Sequence, residues 1–158
     1  MHSFKVLLVA AALALVAAAA ARADGWGPAT PNFNLEVILR PAAGGPDGGF
    51  GHVTFRQPKD DAKIIDLDTW VRDLAAGHTY FLQRAVDANV NGECTSAAWA
   101  TLGDVLTDDT GTGRAALTRD VSMVPTGMEF DIHFRIVDST NPTVAVLESG
   151  CYQYVVSQ

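Results

Sequence analysis

Over residues 33–39, Phe33, Leu35, Val37 and Leu39 fall on one side of an extended chain, with polar partners at 34, 36 and 40. A period of two marks a strand with one buried face. The same period returns along the chain. Val53 and Phe55 oppose His52 and Thr54 over residues 51–56, and Ile65, Leu67, Thr69 and Val71 oppose Asp66 and Asp68 over 63–71. Tyr80, Leu82 and Val86 share a face over 79–86; a weaker strand is expected around Trp99, and another over 113–121 with Ala115, Leu117 and Val121. The clearest run is 128–137, where Phe130, Ile132, Phe134 and Ile136 alternate with Glu129, Asp131, His133 and Arg135. Residues 144–147 and 151–156 complete the set, joined by Glu148, Ser149 and Gly150. The Pro- and Gly-rich stretch 41–49 is a loop that neither strand nor helix would tolerate. Seven to nine short strands spaced about ten residues apart predict an all-β fold, an antiparallel sandwich of two sheets.

The N-terminus breaks this pattern. His2 and Lys5 precede an uncharged run of Val, Leu and Ala over residues 6–21, followed by Ala21, Arg22 and Ala23. A small residue at each side of one arbitrary position is what a signal peptidase reads, so residues 1–23 are expected to be a cleaved export signal and residues 24–158 a single domain. The apolar run is shorter than the roughly 20 residues a membrane span needs. The leader carries Lys5 and Arg22 and no acid, so its loss takes the net charge from −7 to −9. An acidic domain without a basic stripe excludes nucleic acid as a natural partner and disfavours anionic membranes. The expected location is secreted or periplasmic. There the two cysteines, Cys94 and Cys151, are expected to form a disulfide.

Two short segments carry a resemblance. Residues 74–80 (Leu-Ala-Ala-Gly-His-Thr-Tyr) resemble the tyrosine corner of fibronectin type III and other immunoglobulin-like domains. Residues 107–113 (Thr-Asp-Asp-Thr-Gly-Thr-Gly), followed by Arg-Ala-Ala-Leu, resemble the Asp/Gly loop that enters a strand in bacterial extracellular sandwiches. The resemblance implies an immunoglobulin-like sandwich in which the Tyr80 hydroxyl bonds back to the preceding turn and Leu74 plugs the core. It extends no further than these segments and the strand spacing, and no cysteine precedes the candidate strand-C tryptophan as in antibody domains. It implies a fold and no activity.

Candidate chemistry is sparse. No Gly-x-Ser-x-Gly elbow and no phosphate-binding glycine loop is present, so a non-catalytic domain without a cofactor is expected. Copper/zinc superoxide dismutase needs a His-x-His pair, whereas here no two of His52, His78 and His133 are closer than 26 residues. His52 and His133 occupy polar strand faces, and an alternative reading is a metal-binding protein or enzyme that joins them with Glu129 or Asp131. Asp87, Asn89, Asn91 and Gly92 match the first half of a calcium loop, with Glu93 offering a carbonyl; Ala98 stands where the bidentate acid belongs. The competing reading is an Asn-Gly turn pinned by Cys94. Of Trp26, Trp70 and Trp99, Trp70 is out of phase with Ile65, Leu67 and Val71. It either faces outward as part of a binding surface or is buried by a bulge or covering loop, burial being the default for so large a ring. Trp70, His52 and His133 are therefore the candidate surface for an extracellular protein or a glycan.

Overall fold

A computed structural model describes residues 34–157. The leader, its cleavage point, Trp26 and Phe33 lie outside the described residues. The described strands are β1 (Asn34–Pro41), β2 (Phe50–Arg56), β3 (Ile64–Arg72), β4 (Thr79–Asp87), β5 (Ala100–Leu106), β6 (Gly113–Asp120), β7 (Glu129–Asp138), β8 (Asn141–Ser149) and β9 (Tyr152–Val155), and β1, β2, β3, β4, β6 and β7 follow the expected alternating runs. All named pairings are antiparallel. No helix occurs among the described residues. The weak fifth strand begins after Trp99 rather than around it.

The strands form one hydrogen-bonded sheet in the order β5-β4-β7-β8-β1-β2-β3-β6, with β9 on β7. Two separate sheets were expected, and the difference lies in β8. Its end pairs with both halves of the molecule: Leu147 and Glu148 face Ile136 and Arg135 of β7, and they also face Pro41 and Arg40 of β1. At the opposite side, among the described residues, β5 and β6 are joined by hydrogen bonding only at the Thr107↔Gly113 bridge. Beyond it their ladder stops, so the sheet is a nearly closed barrel with one unpaired seam. At that seam the Leu117 side chain occupies the space a Cβ on Gly103 would need.

The inward phase supplies the core. Leu35, Val37, Leu39, Val53, Phe55, Ile65, Leu67 and Val71 pack from one half; Leu82, Val105, Ile132, Phe134, Ile136, Leu147 and Tyr154 pack from the other. Phe55 joins the halves, edge-on to both Phe134 and Tyr154. Most polar groups near this core are paired, the exceptions being Asp131 Oδ1 and Ser157 Oγ, which are buried without a partner among the described residues. Buried Gln57 accepts from Tyr154 Oη at 2.6 Å and from Ser157 N at 2.9 Å, and its Nε2 donates to Ser157 O at 3.1 Å. Burial pushes the Tyr154 phenol pKa up. Tyr152 Oη accepts from Ile38 N at 2.9 Å, which satisfies an edge of β1 that β8 leaves open.

Tyr80 Oη accepts from Ala75 N at 3.0 Å, and Leu74 is buried, the local geometry expected of residues 74–80. The Asp/Gly turn interlocks with that corner: Leu74 N donates to Gly111 O, Gly77 N donates to Asp108 O, and Thr107 Oγ1 donates to Ala75 O. Cys94 and Cys151 are disulfide-bonded, with Cα atoms 5.4 Å apart, and tie the β4–β5 connection to the β8–β9 junction. The bond fits an oxidising, extracellular or periplasmic environment.

Candidate binding face

Alternation on β1, β2, β3 and β6 leaves a second, outward set of side chains, and register aligns them into rows. Ile38 pairs with His52, His52 with Trp70, and Trp70 with Arg114. One step along, Glu36 pairs with Thr54, Thr54 with Asp68, and Asp68 with Ala116. Trp70 therefore faces outward. The register of β3 with β2 and β6 is unbroken and, among the described residues, the ring lines an open trough, so the burial reading is corrected: Trp70 is half-buried by its neighbours on the face itself. Phe50 packs edge-on to it at 5.8 Å between centroids and carries the Arg40 and Arg72 guanidinium groups within 5.5 Å and 5.3 Å of its own ring.

His52, Thr54, Asp68, Trp70 and Arg114 line an open trough. One end is already wired. Glu36 accepts from His52 Nε2 at 2.6 Å, from Thr54 Oγ1 at 3.5 Å and from Arg56. Burial alone raises the Glu36 carboxyl, but the hydrogen bonds and charge of Arg56 and His52 bring it below its ordinary value. At the other end, the Asp68 and Arg114 side chains have no hydrogen-bond or ion-pair partner among the described residues. An aromatic face thus lies beside a fixed polar network on one side and an unengaged acid and guanidinium on the other.

His133 belongs elsewhere. Strands β8 and β1 stand between β7 and β2, so His52 and His133 do not meet, and the reading that joined them through Glu129 or Asp131 is corrected. His133 Nε2 lies 3.1 Å from Ser96 O, and its ring lies 4.5 Å from Trp99. The Arg135 guanidinium covers Trp99 at 4.1 Å. Trp99 is thereby held between the His133 ring and the Arg135 guanidinium over the β4–β7 face.

The Asp87 segment uses its polar atoms internally. Asp87 accepts from Ser96 N, Thr95 N and Thr95 Oγ1, bonds that hold its carboxyl below the ordinary value. Asn91 Oδ1 accepts from Glu93 N, and Gly92 adopts a φ of 80°, as an Asn-Gly turn requires. Asn89 and Asn91 thus belong to a turn, and fully buried Asp131 holds it: its Oδ2 accepts from Asn91 N at 2.8 Å and Gly92 N at 2.7 Å. Among the described residues no three His, Cys, Asp or Glu side chains are grouped to hold a metal ion.

The sequence reading found Trp70 and His52 but missed Asp68 and Arg114. Their signal was present, since both lie out of phase with the apolar positions of their strands. What was absent was the β3–β6 pairing that sets them around Trp70. Compared with known proteins, the chain matches no family model, no curated protein and no solved structure.

Proposed function

We propose that this chain is an exported, non-catalytic binding domain that takes a glycan on the outward face of β1, β2, β3 and β6. The observation that carries the reading is the outward Trp70 ring flanked by the unengaged Asp68 and Arg114. A pyranose ring offers an apolar C–H face that stacks on an aromatic ring and an edge of hydroxyls that want paired donors and acceptors. Arg114 donates, Asp68 accepts, and His52 and Thr54 are oriented in advance by Glu36. The disulfide and the leader-like residues 1–23 support export. The immunoglobulin-like relationship belongs to the same proposal and concerns fold alone. The Ala75–Tyr80 hydrogen bond favours it, and the continuous strand order weighs against two independent sheets.

A panel of oligosaccharides screened against the wild-type chain and Trp70→Ala tests this reading. At least one sugar is expected to bind the wild type and to lose about tenfold or more in affinity with the variant. No binding across the panel, or binding indifferent to Trp70, contradicts it.

A further inference from the structure

The unpaired seam between β5 and β6 leads into an apolar cavity. Phe55, Leu67, Leu102, Phe130, Ile132 and Phe134 contribute to its lining, and its free volume is about 90 Å³. Two arginines join this lining: Arg84 from β4 and Arg119 from β6.

Arg119 is exposed at the rim of the cavity, whereas Arg84 is not accounted for by the fold. Arg84 occupies the inward phase of β4 with Tyr80, Leu82 and Val86. It is half-buried, yet its side chain has no hydrogen-bond or ion-pair partner among the described residues. Its neighbour in charge is Arg119, and burial together with that like charge lowers the Arg84 pKa. Asp120, next to Arg119 in sequence, feels its charge but accepts from Ser122 N at 2.7 Å and forms no close ion pair with it. A half-buried guanidinium facing a second cation is a cost to the free protein. An anion between the two would relieve it, and the adjoining cavity would take an apolar tail.

We infer that this cavity is a binding site for a short-chain aliphatic carboxylate, with the tail among Phe55, Leu102, Phe130 and Phe134 and the carboxylate held between Arg84 and Arg119. The carboxylate matches the guanidinium fork, which can present two parallel N–H donors. The free volume sets the tail length: it is smaller than the roughly 150 Å³ cavity that accommodates benzene. The site opens at the β5–β6 seam and does not involve Trp70, so it stands or fails independently of the glycan face.

The test is calorimetric titration of the purified chain with the series propanoate to octanoate, with pentanol and acetate as controls. Affinity is expected to rise about fourfold per methylene and then level off near pentanoate once the cavity is full, with one site per chain. Pentanol and acetate are each expected to bind at least about tenfold more weakly than pentanoate. Arg119→Gln, an exposed position that leaves the core intact, should weaken pentanoate by about tenfold without lowering the unfolding midpoint. Leu102→Trp should abolish binding by filling the cavity, and Trp70→Ala should leave it unchanged. Equal affinity for pentanol and pentanoate, an unaffected Arg119→Gln variant, or no saturable binding by any member of the series overturns the inference. Association with phosphatidylglycerol vesicles in the absence of pentanoate binding also overturns it, since the occupant would then be a membrane lipid.

Discussion

Trp70 and Arg114 face each other directly across the β3–β6 ladder, both on the outward side of the sheet. The aromatic ring and the guanidinium are neighbours without being partners, because Trp70 packs edge-on to Phe50 instead. Arg114 is thereby available to a ligand lying on the Trp70 ring. Arg114→Ala should weaken glycan binding by about tenfold and leave the chemical-denaturation midpoint unchanged, because the side chain is exposed and makes no bond within the fold. Titration calorimetry alongside urea unfolding separates the two effects.

The disulfide closes a sequence separation of 57 residues. In the chain-entropy account a loop of that size stabilises the fold by about 4 kcal/mol. Cys94→Ser with Cys151→Ser should therefore lower the free energy of unfolding by about that amount in urea. The expected change is global, since the bridge links the β4–β5 connection to the β8–β9 junction rather than anchoring a tail.

Gly111 combines a φ of 78° with a position where an added Cβ would lie 2.2 Å from Leu74 O. Neither strain has an easy release, because Leu74 N donates to Gly111 O at 3.2 Å and the two turns move together. Gly111→Ala should cost about 2 kcal/mol or more. By comparison, Tyr80→Phe removes one acceptor from Ala75 N and should cost about 1 kcal/mol. The ranking of the two variants in urea unfolding checks whether the turn or the hydroxyl holds this corner.

Several carboxyls titrate low in the folded chain. Hydrogen bonds from Thr140 and His78 hold Asp138 down to about 2. Hydrogen bonds likewise lower Asp108, from Thr110 and Thr112, and Asp120, from Ser122. A carboxyl lowered on folding stabilises the protein above its unfolded pKa, and that contribution disappears as pH falls through the folded pKa. The thermal midpoint should accordingly fall as pH drops from about 4 to about 2. Asp138→Asn should shrink that fall, which a series of melts across this window measures.

The strands were legible because alternation needs only local sequence: β1, β2, β3, β4, β6 and β7 each overlap a run of alternating residues. Pairing was not, because period two assigns a face without a neighbour. Thus β8 could not be seen to bridge β7 and β1, nor His52 and His133 to be kept apart. Trp70 was visible as an out-of-phase ring, yet whether anything covered it depended on loops. Arg84 and Arg119 show a signal that was present and unused. Each fills an apolar-phase gap in its strand, between Leu82 and Val86 and between Leu117 and Val121. For half-buried Arg84, a cation in the inward phase is a costlier anomaly than a tryptophan in the outward one. The half calcium loop illustrates the converse, since Asp87, Asn89 and Asn91 have ligand spacing while their atoms are used by Thr95, Ser96 and Glu93.

The binding face is tested most directly by following backbone amide NMR shifts while titrating a bound oligosaccharide. The expected result is saturable shifts concentrated at Ile38, His52, Asp68, Trp70 and Arg114, absent in Trp70→Ala. Shifts confined to the Trp99, His133 and Arg135 face, or none at saturating sugar, would contradict the assignment of the glycan to β1, β2, β3 and β6.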